Sequence, residues 1–207
     1  VARAKTSFDI LDPIKVENQN VPLTRMNLEQ IYAHFQIPED SSKALFTTTY
    51  TKDAAKRMRK QKKELNKRVS DIISQMIENR EKMLQHVFKY TDNIVLHIPV
   101  HFLRIMNNIQ HQMNIQSNFL VDITPLETYA LIDKYFTDLH QSTYTKPTEL
   151  FKIAWYYYLT PKELLMLRRF NRKSLIVLLE TLNINYHKGV VHPGEMVGMV
   201  SAQSIGE

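Results

Sequence analysis

The chain has no cysteine, which excludes disulfide frameworks, thiolate zinc sites and a cysteine nucleophile. Glycine is nearly as scarce. Only four occur in 207 residues, and all of them, Gly189, Gly194, Gly198 and Gly206, fall in the last 19. A chain that avoids glycine for so long fits a helical body, because glycine costs about 1 kcal/mol in a helix interior. No apolar run reaches the roughly 20 residues that a membrane span needs. The N-terminal VARAKTSFDI offers neither an initiator Met nor an apolar signal core. Also missing are a glycine-rich phosphate loop and the paired-Asp arrangement that holds catalytic magnesium. The sequence therefore reads as a segment of a longer protein, with no catalytic and no metal-binding residues of its own.

What is present is a hydrophobic fraction of 43%, enough to build a core in one or two small domains. The net charge of +6 is local. Residues 52–68, KDAAKRMRKQKKELNKR, hold nine basic and two acidic side chains, so the remainder of the chain is close to neutral.

The punctuation predicts an all-α protein of about seven or eight helices with at most one or two short strands. Residues 1–52 form a leading segment with one short helix, expected over 27–35 and stopped before Pro38. Residues 53–188 form the helical body. A long helix is expected over 53–88, where Met58, Leu65, Val69, Ile72, Met76, Met83 and Val87 recur by sevens, fours and threes. Pro99 opens a helix with Phe102, Leu103, Met106 and Ile109 on one side. Thr124-Pro125-Leu126-Glu127 and Thr160-Pro161-Lys162-Glu163 both read as capping boxes with proline at the first helical position. Pro147 starts a helix that runs through Trp155, and Asn171 caps one that runs through Leu182 to a stop at Gly189. Residues 94–98 could form a short strand, which would need a partner.

Three clusters invite a chemical reading. His97 and His101 are four apart, but Pro99 separates them, so they need not face one metal ion. The aromatic run Trp155-Tyr156-Tyr157-Tyr158 points around a helix, and core packing accounts for it better than a base-stacking platform. The basic segment is different. Lys56, Arg57, Arg59, Lys60, Lys62, Lys63, Lys67 and Arg68 include like charges four apart. Each such pair opposes the helix by roughly 0.2–0.5 kcal/mol, and the charge lies in the first turns, where the macrodipole favours anions. The ordinary reading of a charge run is a solvated face. The alternative is a surface for an acidic partner or for nucleic acid, without stacking because no aromatics interleave.

The glycines gather in VHPGEMVGMVSAQSIGE, residues 191–207. As a helix over 194–206, this segment places Gly194, Gly198, Ser201, Ala202 and Ile205 on one side, small apart from Ile205, where another backbone can approach closely. Met196, Met199 and Val200 lie on other faces, available to fill a core.

The pattern PGE-x-VG-x-x-x-AQSIGE in this segment closely resembles the stretch leading into the trigger loop of the largest subunit of multisubunit DNA-directed RNA polymerases. Upstream, LHIPVHFLRIMNNIQ (96–110) is similar to the proline-led helix of the eukaryotic-type foot domain, and FDILDP (8–13) to the start of that domain. The resemblance thus covers nearly the whole chain. It departs at Ser201, where the family usually has Ala, and is faint over 39–90, which fits a divergent source such as a large DNA virus.

The resemblance implies a helical foot domain over 53–188 and the start of the trigger-loop helix region over 189–207. Pro193, Gly194, Glu195, Gly198, Ser201, Ala202, Gln203, Ser204 and Gly206 would be its packing residues. It implies an intracellular enzyme complex, nuclear if cellular and in the host cytoplasm or virion if viral. The partners would be other polymerase subunits, transcription or capping factors at the foot, and DNA and RNA, with no membrane. Magnesium and structural zinc would be bound elsewhere in the polymerase, and this segment alone would be inactive. Two rival readings use the basic helix 52–68: a stand-alone nucleic-acid-binding module, or a scaffold for an acidic protein.

Overall fold

A computed structural model of the chain describes residues 2–3, 25–37, 48–83, 85–86, 97–143 and 146–206. Among them the architecture is helical apart from one two-residue ladder. Strand β1 (Ala2–Arg3) pairs antiparallel with β2 (His97–Ile98), Ala2 opposite Ile98 and Arg3 opposite His97. The described part of the strand expected at 94–98 therefore finds its partner near the start of the sequence. Residues 8–13, 39–47 and 87–96 lie outside the described residues. So do the expectations placed there, including the far end of the long helix.

Helix α1 (Arg25–Phe35) sits where Pro38 predicts a stop. Helix α2 (Lys52–Met83) buries Leu65, Val69, Ile72, Met76 and Met83, the row chosen by spacing, with Met58 half-buried. It also buries Asn79 and Arg80, which periodicity did not nominate. Arg80 meets the carboxylate of its neighbour Glu81 at 2.6 Å, so the buried cation is paired. The start of α2 is anchored by a short parallel bridge: Val121 N–H donates to the Thr49 carbonyl at 2.8 Å, and Thr51 N–H to the Val121 carbonyl at 3.0 Å.

Helix α3 (Phe102–Gln112) is capped by His101, whose Nδ1 accepts from Arg104 N–H at 3.3 Å. Its core row is Phe102, Met106 and Ile109, and Leu103, expected beside them, is 40% exposed. The reason is angular: one step of about 100° carries Leu103 off the buried face. Helix α4 (Pro125–Ser142) has the full Thr124–Glu127 capping box. Helix α5 (Glu149–Tyr158) begins after Pro147, because Thr148 rather than the proline supplies the cap, accepting from Phe151 N–H at 3.3 Å.

The second Thr-Pro-x-Glu site is only half a box. Thr160 accepts from Glu163 N–H at 3.4 Å, but the Glu163 carboxylate turns away to Arg168 Nε at 2.8 Å. The segment Lys162–Leu167 winds as a π-helix, with Arg168 N–H reaching back five residues to the Glu163 carbonyl at 3.0 Å. Helix α6 (Arg172–Gly189) is boxed by Asn171 and Ser174. Gly189 is its last helical residue, not the residue beyond its end. Helix α7 (Val197–Gly206) completes the order.

Helix α4 lies between α2 and α6; α5 and α1 pack on α2, and α3 packs on α6. The aromatic run sits in this core. Trp155 is fully buried, with the rings of Phe102, Phe136 and Phe151 centred 6.2, 5.7 and 5.9 Å from it.

One glycine is explained by contact within the chain. A Cβ added at Gly189 would lie 2.7 Å from Cβ of Pro99, closer than real side chains approach, and the proline ring cannot yield as a flexible chain would. Gly189→Ala is expected to lower the stability of the chain by about 1–3 kcal/mol, the usual cost of overpacking. Urea denaturation reads this directly, and a change within about 0.3 kcal/mol would show that the α6 end and β2 separate freely.

Candidate functional site

Two surfaces carry the residues singled out from the sequence. The first is the C-terminal segment. Pro193 and Gly194 form a turn, with Glu195 N–H donating to the His192 carbonyl at 3.2 Å. Gly194 has φ of +89°, a left-handed conformation that side chains resist. Gly194 thus lies in the turn before α7, and the helical part of the small-residue side is Gly198, Ser201 and Ala202. Gln203, Ser204 and Gly206 share the same exposed helix.

No residue of α7 is buried. Met196 is 66% exposed and Ile205 87%, with Met199 and Val200 close behind. The expectation that Met196, Met199 and Val200 fill a core is not met by this chain, because α6 ends at Gly189 and the turn at Gly194 leads the backbone away from the packed helices. A Cβ at Gly198 or Gly206 would meet nothing within 4 Å. The closeness that the small side permits is not used by any described residue of the chain.

The second surface is the N-terminal half of α2. The structure divides its eight candidate residues by role. Arg57, itself exposed, reaches across the surface, donating to the Asp122 carbonyl at 2.9 Å and pairing with Glu127 at 3.2 Å. Arg68 pairs with Asp133 at 2.5 Å. Lys56, Arg59, Lys60, Lys62, Lys63 and Lys67 are exposed. The two arginines therefore tie α2 to α4, while Lys56, Arg59, Lys60, Lys63 and Lys67 make no ion pair or side-chain hydrogen bond among the described residues.

Sequence reasoning missed the acceptors of this clamp. Asp133 takes Arg68 on one oxygen and the Tyr156 hydroxyl on the other at 2.7 Å, joining α2, α4 and α5 at one carboxylate. Burial first, and then the hydrogen bond to Asp133, push the Tyr156 hydroxyl pKa well above its ordinary value, so it stays a donor. Asp122 also accepts from Arg172 N–H at 2.9 Å, at the start of α6. The only signal for these residues was position: Glu127 by its capping box, Asp133 by lying on the same helix.

A cleft of about 300 Å³ opens beside the clamp, lined by Gln61, Glu64, Arg68, Glu127, Tyr129 and Asp133 among others. Glu127 and Asp133 are committed to the two arginines, and burial raises the Tyr129 pKa, so its hydroxyl stays protonated. Glu127 and Asp133 thus serve to tie helices together. Among the described residues no three His, Asp or Glu side chains converge as metal ligands. His101 spends its Nδ1 on a helix cap. No described helix is long and apolar enough to cross a membrane.

A protein-family model described as RNA polymerase Rpb1, domain 6, matches residues 11–189. The match spans most of the chain and ends at the last residue of α6.

Proposed function

The chain belongs to the RNA polymerase Rpb1 domain 6 family and is part of an RNA polymerase largest subunit, and from this we propose that its body is the foot, a structural and docking block, and that α7 leads into the trigger loop. The intact complex would be a DNA-directed RNA polymerase, a nucleotidyltransferase working inside the cell on DNA and RNA. The foot would hold other polymerase subunits and offer its surface to transcription or capping factors. Magnesium for catalysis and structural zinc would be held by other parts of that complex.

The observation that carries this reading is α7. Ten residues, four of them large and apolar and five of them small, stand exposed beyond a well-packed body. Such a helix loses little by folding alone and gains much by being covered. In the proposal its small side meets neighbouring polymerase backbone, and Pro193 and Gly194 set its direction of departure. The body, tied by the Arg57 and Arg68 clamps and the Trp155 core, supplies a rigid base from which α7 is aimed.

The test is purification of the parent subunit through an affinity tag. A second large subunit and several small ones should accompany it, and the assembly should synthesise RNA on a DNA template with magnesium. The purified 207-residue chain alone should incorporate no nucleotide. Template-dependent synthesis by the chain alone, or a parent that purifies without companions, would overturn the proposal.

A further inference from the structure

The outward face of α2 has a definite charge order. Lys52, Lys56, Arg59, Lys60, Lys63 and Lys67 are all exposed and lie opposite the buried row. From Lys52 to Lys67 they extend about 22 Å along the axis. Further on, the same face carries Ser70 and Ser74, then Glu78 and Glu81. Glu78 is tied to Lys82 at 2.7 Å and Glu81 to Arg80 at 2.6 Å. The six cations have no such ties: none of them makes an ion pair or a side-chain hydrogen bond among the described residues. Arg57 and Arg68, by contrast, are consumed by the clamp onto α4. The clamp holds the helix in place, so the row is presented on a fixed support.

This arrangement works against the helix itself. Like charges four apart repel, and cations crowd the end of α2 where the macrodipole disfavours them. A negative partner would offset both effects.

We propose that this face docks an acidic helical segment of another protein. Three observations favour a protein helix over nucleic acid. First, the face is polarised: the six unpaired cations, from Lys52 to Lys67, give way to Ser70 and Ser74 and then to the carboxylates of Glu78 and Glu81, each of which already meets one cation. A duplex carries uniform negative charge, about one per 1.7 Å of axis, and would meet Glu78 and Glu81 at the far end. A helix with glutamates followed by a few lysines matches both ends. Second, the outer row has one arginine and no aromatic, so it offers no platform for bases and little bidentate reading of their edges. Third, a partner helix has the same rise per residue, so carboxylates at steps of four and three fall in step with Lys56, Lys60, Lys63 and Lys67. The proposal rests on α2 alone and does not require the trigger-loop reading of α7.

The probe is a fluorescein-labelled synthetic helix of about 24 residues, with glutamates at steps of four and three over its first two-thirds and lysines in its last third. Its control has the same composition with the lysines interspersed among the glutamates. A DNA duplex of about 20 base pairs and a single-stranded RNA of about 20 nucleotides complete the set. Binding to the full chain is read by anisotropy at about 150 mM salt, where screening removes non-specific attraction beyond roughly 8 Å.

The graded helix is expected to bind about fivefold more tightly than the interspersed one, and more tightly than either nucleic acid. Lys56→Glu, Lys60→Glu and Lys63→Glu together should weaken it at least about tenfold. Circular dichroism should show undiminished helix in that variant, since the Lys52–Lys56, Arg59–Lys63 and Lys63–Lys67 pairs become opposite in charge and anions move into the first turns. Lys60→Gln with Lys63→Gln, which removes charge without reversing it, should weaken binding about threefold and serves if the triple variant fails to fold. Tighter binding of duplex or RNA, equal binding of the graded and interspersed helices, unchanged affinity in the variants, or no peptide binding would each overturn the proposal.

Discussion

Gly198→Leu in the assembled polymerase is expected to slow elongation about 100-fold, while the isolated chain melts no lower than before. The two halves of this expectation have separate causes. Within the chain, Gly198 faces open space, so a larger side chain meets nothing. It also replaces the residue that costs a helix most, apart from proline, by about 1 kcal/mol. The folded body therefore has no reason to weaken. In the proposed assembly the same position lies in the middle of the small side formed with Ser201 and Ala202, where neighbouring backbone approaches. Four added carbons would overpack that contact by about 1–3 kcal/mol and shift the helix. A displacement near 1 Å at a reacting centre costs about 100-fold in rate. Gly198→Ala adds a single methyl and should act more mildly. Elongation on a preassembled scaffold, set beside thermal melting of the chain, measures both. Near-normal elongation by the Leu variant would mean that the small side packs against nothing.

Trp155→Ala is expected to destabilise the chain by about 3–5 kcal/mol, a large share of the stability of a domain this size. The indole is fully buried among Phe102, Phe136 and Phe151, and its removal leaves a void that helices pinned by the Asp133 clamp cannot readily close. Its N–H has no hydrogen-bond partner among the described residues, so Trp155→Phe removes volume and an orphaned donor together and should cost far less. Denaturant unfolding of the two variants distinguishes this from a surface role. A loss under about 1 kcal/mol for the alanine variant would place the ring outside the core.

Much of the helical layout was legible because local rules dictate it. The spacing of Leu65, Val69, Ile72, Met76 and Met83 specifies the buried side of α2 whatever it packs against. The Thr124–Glu127 and Asn171–Ser174 caps are made by residues three apart, which sequence displays directly. What failed depended on distant partners. Thr160 and Glu163 have the same local pattern as Thr124 and Glu127, but Arg168 competes for the Glu163 carboxylate, and a π-helix results where a capped α-helix was expected. The pairing of β2 with β1 joins residues far apart in sequence and has no local signature. For the candidate surfaces, the basic run showed where cations concentrate, but not that Arg57 and Arg68 pair with carboxylates of α4. That division depends on Glu127 and Asp133, more than 60 residues away. The glycines likewise divide by circumstance: Gly189 yields to Pro99, Gly194 supplies a left-handed turn, and Gly198 awaits a contact from outside the chain.

Hydrogen exchange across Val197–Gly206, compared between the isolated chain and the assembled polymerase, tests the covered-helix reading most directly. A short exposed helix opens readily, so in the isolated chain its amides should exchange close to the rate of free peptide, while those of α4 and α6 are strongly protected. In the assembled polymerase the same ten residues should become protected at least about 100-fold. Equal exchange of α7 in the two samples would contradict the reading that polymerase surface beyond this chain covers it.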